Sequence, residues 1–277
     1  MKTQFKIAAS IFGGLMLTLA SSAIYAQTVT GSLHDLGSGG TAQATTGLTG
    51  EVCVFCHTPH GADISAAVPL WNKVLGTPSS YTMYSTLQTP TFESTEAPVG
   101  SVSLACLSCH DGVQAMDVVI NMPGSGGWNA AGAEIDGTAI GIMTGSPVPM
   151  LGTDLRDDHP ISMQYAAGGC TSTDTDDALC TATLGDPDFN APMKTTVNTN
   201  PIWWVDSVVG TDLVREKTDM ILYTRNDAIL GGGAIEPFVE CGSCHDPHND
   251  GTASATSVAF LRIDNTASQI CTTCHIK

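Results

Sequence analysis

The chain has 277 residues, with 10 Lys+Arg against 27 Asp+Glu, a net charge of −17 and only 6% aromatic residues. Such a surface repels nucleic acid and anionic lipid and suits a basic or metallic partner. With 29 Gly and 14 Pro and no dominant helical or alternating pattern, the chain is expected to be mostly coil, with short helices and a few short strands. A chain this rich in loops needs something besides its own side chains to build a core.

Residues 1–26 read as a secretory signal peptide. Lys2 and Lys6 form a basic start, Ile7 to Ala20 an apolar run, and Ser21 to Ala26 a small-residue exit. Cleavage is placed after Ala26, with Ala23 as the alternative. The apolar run is shorter than the ~20 residues a membrane span needs, and no second spanning segment follows. Without Lys2 and Lys6, 8 Lys+Arg stand against 27 Asp+Glu, a net charge of −19. The mature chain is expected to be soluble and exported.

Residues 27–277 are read as one domain in three parts. The first, 27–120, opens with a Gly/Thr/Ser-rich lead that carries His34 in GSLHDLGSGG, followed by CVFCHTPH and CLSCH. Short helices are expected after each of these motifs. The middle, 121–240, is Gly- and Pro-rich up to residue 157, and then presents His159 in DLRDDHPISMQY. Cys170 and Cys180 enclose TSTDTDDAL within a stretch, 170–200, read as polar loop. In an oxidising compartment the two cysteines are expected to form a disulfide, worth roughly 2–3 kcal/mol for so short a loop. Asp174, Asp176 and Asp177 read as a solvated acidic loop, with calcium binding as the alternative. PIWWVDSVVG and MILYTR read as short strands. The last part, 241–277, carries CGSCHDPH and CTTCH.

Eight of the ten cysteines fall in four identical frames: Cys53-x-x-Cys56-His57, Cys106-x-x-Cys109-His110, Cys241-x-x-Cys244-His245 and Cys271-x-x-Cys274-His275. This is the attachment frame of c-type haem. Two thiols add to the vinyl groups on one edge of the ring, and the next residue reaches the iron from one face. Zinc and dithiol sites also use Cys-x-x-Cys, but neither needs His at the following position every time. His is 8 of 277 residues, so four out of four by chance is about one in a million. Four covalent haem c groups are therefore expected. Trp203 and Trp204 read equally as haem-face or ordinary core residues.

The histidines then divide evenly. Four are proximal ligands, His57, His110, His245 and His275, and four remain: His34, His60, His159 and His248. Four haems need four distal ligands. Met is the competing sixth ligand, but it is also a common gap-filler, and the matched His count favours bis-His ligation throughout. Irons filled on both sides by protein imidazole leave no position for a substrate. Each takes and passes an electron, at low potential, and no enzymatic activity is expected.

The doubled motif has a geometric consequence. Axial ligands lie on opposite faces of the ring, while His57 and His60 are three residues apart, a reach of at most ~11 Å. Pro59 fixes its own φ and pushes Thr58 toward extended geometry. His60 is therefore expected to serve a different haem from His57, and His248 a different haem from His245. Such a stretch holds two haems close together.

CVFCHTPH, CGSCHDPH, LGTDLRDDHPIS, SLHDLG and LRIDNTASQICTTCH resemble the doubled-CxxCH cytochromes. More closely, they are similar to the extracellular tetrahaem cytochromes of the outer-membrane cytochrome E type from metal-reducing bacteria. The likeness spans nearly the whole mature chain, is specific at the four haem motifs, and is weak in 121–155 and 170–235. It implies a mostly coil fold and homopolymers with a continuous stack of haems. Other cytochromes or extracellular acceptors such as metal oxides would be the electron partners. It also implies that His34 ligates a haem of the neighbouring subunit, though its place on the lead lets it fold back as well. The expectation is an exported electron conduit that polymerises into a filament. A soluble periplasmic shuttle is the alternative, and a multihaem reductase the remote one.

Overall fold

A computed structural model describes residues 29–38, 49–65, 67–124, 126–135, 140–144, 149–207, 214–225, 235–249 and 260–276. The expected signal peptide lies outside them. Among the described residues, no helix is long and apolar enough to cross a membrane.

Most of the described chain is turn and coil, in which two antiparallel sheets and three short α-helices are set. Strands β1 (Val118–Asn121) and β2 (Trp128–Glu134) form a hairpin with a bulge between Val119 and Asn121. Its second strand, WNAAGAE, lies in the stretch expected to be loop. Small, mostly exposed residues give no inward pattern there, and the pairing with β1 defines it.

The larger sheet has six strands in the order β3-β8-β7-β6-β5-β4. They are β3 (Met163–Gln164), β4 (Ala178–Leu179), β5 (Met193–Val197), β6 (Asn200–Val205), β7 (Met220–Arg225) and β8 (Glu236–Val239). The runs PIWWV and MILYTR provide the two central strands β6 and β7, where β-branched and aromatic residues suit a buried pleated surface. Strand β5 falls in the stretch read as polar loop. It is polar because Lys194 pairs across to Trp203 and lies buried with its Nζ 6.0 Å from the Trp203 ring centre.

The acidic loop accounts for that buried lysine. Cys170 and Cys180 are joined in a disulfide, and the loop between them folds over Lys194. The Lys194 Nζ donates to the Asp174 carbonyl at 2.8 Å and to Asp176 Oδ1 at 2.5 Å. The Asp174 carboxylate accepts from the Thr171 backbone N–H. The Asp176 carboxylate and the Asp174 carbonyl thus serve a buried amine, and a burial cost of several kcal/mol for an unpaired ammonium is offset. The sheet core gathers Tyr165, Trp203, Val205, Met220, Leu222, Val239 and the disulfide, with Cys244 and Cys274 packed against its edge. Trp203 is thus a core residue of the sheet, and Trp204 is buried as well.

Candidate haem-binding sites

Helices were expected after the first two motifs, but the cysteines of three of the four motifs lie within helices themselves. Cys106, Cys109 and His110 end α1 (Ser101–His110). Cys241 and Cys244 begin and end α2 (Cys241–Cys244), and Cys271 and Cys274 lie in α3 (Gln269–Cys274). Cys53 lies in a 3-10 turn, Val52–Phe55, with Cys56 as its cap. The reason is geometric: one helical turn puts residues i and i+3 on the same face, which aims both thiols at one ring edge.

The proximal imidazoles are oriented by backbone carbonyls. The His57 Nδ1 is 2.7 Å from the Pro69 carbonyl, and the His110 Nδ1 is 2.8 Å from the Pro149 carbonyl. A carbonyl only accepts, so Nδ1 carries the proton in each and Nε2 is left bare. Metal-ligating histidines are held in this way. His159 has the same arrangement, with Nδ1 3.0 Å from the Pro160 carbonyl. The His248 Nδ1 lies 3.6 Å from Asp246 Oδ1.

Two pairs of imidazoles lie near one another. The ring centres of His57 and His248 are 6.2 Å apart with planes at 13°, and those of His34 and His110 are 6.1 Å apart with planes at 80°. Two metal–imidazole bonds of about 2 Å, with about 1.1 Å from nitrogen to ring centre on each side, place trans ligands about 6.3 Å apart. The ring-centre separations of both pairs match that figure. His34 is half-buried and its pKa is lowered to about 4, by burial first and then by the neighbouring His110. His245 is also lowered, by burial and then by His110. Neutral imidazole is the form that ligates.

His248, three residues after His245, thus stands opposite the proximal His57 of a motif nearly 190 residues away in sequence. The ring centre of His34 lies 6.1 Å from that of His110 of its own chain. Phe260 stacks on the His34 ring at 4.0 Å. His60 is exposed at the rim of a cleft of about 930 Å³ lined also by Cys53, His57, Met122 and Trp128. That volume lies within the range of cofactor sites. His159 is exposed as well. Neither His60 nor His159 faces another imidazole at ligand-pair spacing among the described residues. His275 packs against Phe189, with ring centres 4.4 Å apart.

Burial pushes the Cys56 and Cys274 thiols up to about 12 and Cys244 up to about 11. Among the described residues the motif cysteines and histidines converge on no common point. The group that does converge, Cys170, Asp174 and Cys180, has both sulfurs in the disulfide. Haem fits better. The His34 Nδ1 and Trp71 Nε1 are buried polar atoms without a hydrogen-bond partner of ordinary geometry, although the Pro247 backbone is near enough to His34 to raise its pKa somewhat. Trp71 stands edge-on to His57 with ring centres 6.0 Å apart.

The attachment thiols influence one another in series. Cys109 raises the Cys56 pKa after burial, Cys106 hydrogen-bonds to Cys241 and is raised by it, and Cys244 raises Cys274 after burial. At the α1–α2 contact lies a residue the sequence did not single out. Glu240 is buried, and its Oε2 accepts from the Ser103 hydroxyl at 2.5 Å and the Ser162 hydroxyl at 3.2 Å. Its Oε1 accepts from Arg225 at 3.1 Å. Ser103 in turn accepts from the Cys241 backbone N–H. Burial pushes Glu240 up to about 7 against these partners. Gly242, inside the motif, has the Tyr223 hydroxyl where a Cβ would stand.

A family model for the doubled CXXCH motif matches residues 236–277. Comparison with curated proteins gives no match. The doubled motif marks a multihaem c-type cytochrome, a protein of electron transfer with covalently bound haem c.

Proposed function

We propose that the chain is an exported tetrahaem cytochrome with bis-His ligation at all four irons, and that it conducts electrons without catalysing a reaction. The observation that carries this is the pair of opposed imidazoles, His57/His248 and His34/His110. Cys53, Cys56, Cys106, Cys109, Cys241, Cys244, Cys271 and Cys274 hold the rings, and His57, His110, His245 and His275 are the proximal ligands. His34, His60, His159 and His248 are the distal ones. Haem c supplies one-electron transfer between ferric and ferrous iron when bound. The chain's own part is to hold neutral imidazoles on both faces, to bring the attachment thiols near one another in series, and to leave no position open to substrate.

His57/His248 ligation is tested by His248→Ala. The haem attached at Cys53 and Cys56 then turns high-spin in electron paramagnetic resonance, while the haem at Cys241 and Cys244 stays low-spin. A high-spin signal at the Cys241/Cys244 haem instead assigns His248 to its own motif and overturns the pairing.

The extracellular, filament-forming reading goes further. Its support is the resemblance of the motif segments, together with the exposure of His60 and His159. These two supply the remaining sixth ligands, within the chain or between copies. Electron microscopy and fractionation of cells making the protein decide this point. Filaments outside the cell are the expected result. Dispersed monomer confined to the periplasm makes the chain a soluble shuttle.

A further inference from the structure

We propose that Glu240 is a positioning residue for electron transfer, a buried carboxylate that holds the second motif against the third and sets the coupling between their two haems. This rests on the reading of the motifs as haem sites. Glu240 is 1% exposed, and its hydrogen bonds run to three separate parts of the chain. They reach Ser103 on α1, Ser162 beside β3 and Arg225 at the end of β7. Arg225 continues to the Pro98 carbonyl at 2.9 Å, just ahead of α1. Ser103 closes the ring, because its Oγ also accepts from the Cys241 N–H at 2.9 Å. On the α2 side the Glu240 N–H donates to the Ser243 hydroxyl at 3.0 Å and caps that single turn. Ser103, Ser162 and Ser243 are all buried.

The contact is aimed at the haem motifs. Ser103 and Cys106 are three apart on α1 and share a face. The face that meets the Cys241 N–H therefore also carries Cys106, the first attachment thiol of the second motif. Cys241 is the first attachment thiol of the third. α2 is pressed close here: a Cβ at Gly242 would stand 3.1 Å from Val102 Cγ1 and collide with the Tyr223 hydroxyl. The neighbouring joints are apolar. Trp71 packs with Cys56 and Ala105, and Cys244 and Cys274 pack on the sheet core. Apolar contact is non-directional, whereas hydrogen bonds fix distance and angle. A buried ion pair is also costly to keep, since well-packed apolar residues in its place are often no less stable. What the polar joint adds is a fixed spacing between the motifs, with water kept out. The interaction of two charges varies inversely with their separation and with the local dielectric constant. A loosened joint lengthens the one and, by admitting water, raises the other.

The test is a stepwise reductive titration of the purified holoprotein at one pH, followed by NMR of haem methyl groups assigned through Overhauser contacts to the cysteines that carry each ring. It reads how far reducing one haem moves the potential of another. In Glu240→Ala the interaction between the second- and third-motif haems is expected to fall, while those of the other pairs keep their wild-type values. Ser103→Ala, a milder change, is expected to act in the same direction on the same pair. Glu240→Gln is expected to keep the wild-type interaction, because its amide oxygen can face Arg225 and serine hydroxyls accept from its NH2 as readily as they donate. Loss of the carboxylate charge alone shifts the two potentials in Gln as in Ala and leaves their interaction in place. If that interaction is unchanged in Glu240→Ala, falls alike for every pair, or falls as far in Glu240→Gln as in Glu240→Ala, the proposal is overturned. Should Glu240→Ala fail to assemble, Ser103→Ala decides, and an unchanged interaction there overturns it. Haem content and low-spin spectra of the wild type test the haem reading separately.

Discussion

In residues 29–155 the buried apolar side chains form three small clusters, two of them packed against the Cys56 segment and one built on Leu104 and Leu107 of α1. In residues 163–276 a six-stranded sheet has a larger core of its own, stapled by the disulfide, with Cys244 and Cys274 at its edge. Among its described residues the first half is short of apolar mass, and its two motifs would each add a covalent ring to it. The second half can fold largely on its own side chains and carry its haems at the rim. The buried ions differ in the same way. Lys73 answers to carbonyls alone, while Glu240 is held by two hydroxyls and a guanidinium.

This contrast can be broken. Trp203 is fully buried in the sheet, so Trp203→Ala is expected to lower stability by about 3–5 kcal/mol in denaturant. The low-spin signal of the first-motif haem should survive. Its loss would show that the halves are not separable. Replacing Cys170 and Cys180 together by Ser is expected to remove roughly 2–3 kcal/mol, again from the sheet half, with the haem spectrum unchanged.

The third effect is a pH dependence. Glu240 is raised from its ordinary 4.5 to about 7, so the folded chain keeps a proton that the unfolded chain has lost. Its contribution is complete below pH 4.5 and disappears as pH rises through about 7. Stability should therefore fall between these limits by at most about 1.4 kcal/mol per pH unit. Glu240→Gln should flatten that slope. An unchanged slope would assign it to other groups.

Much of the candidate site was legible because its chemistry is local. Four identical Cys-x-x-Cys-His frames and a matching number of spare histidines need no tertiary information. The central strands were legible from PIWWV and MILYTR for the same reason. What was not legible depends on distant partners. Strand β5 looks like loop because Lys194 is polar, and only Asp176 and Trp203 explain its burial. Lys73 in LWNKVLG looks like a surface lysine until the carbonyls of 115–118 close over it. Glu240 becomes a joint only when α1 brings Ser103 to it, from 137 residues away. The partner of each distal histidine has the same character: spacing leads to the expectation that His248 serves a different haem from His245, but only the fold brings its ring to 6.2 Å from that of His57.

The central claim is that all the irons are saturated by protein nitrogen. Resonance Raman spectroscopy of the purified holoprotein, in both oxidation states and with haem content measured on the same sample, tests it most directly. The account predicts four haems per chain and only six-coordinate low-spin marker bands. A five-coordinate high-spin band from any of the four would contradict it, and would reopen the chain to substrate chemistry.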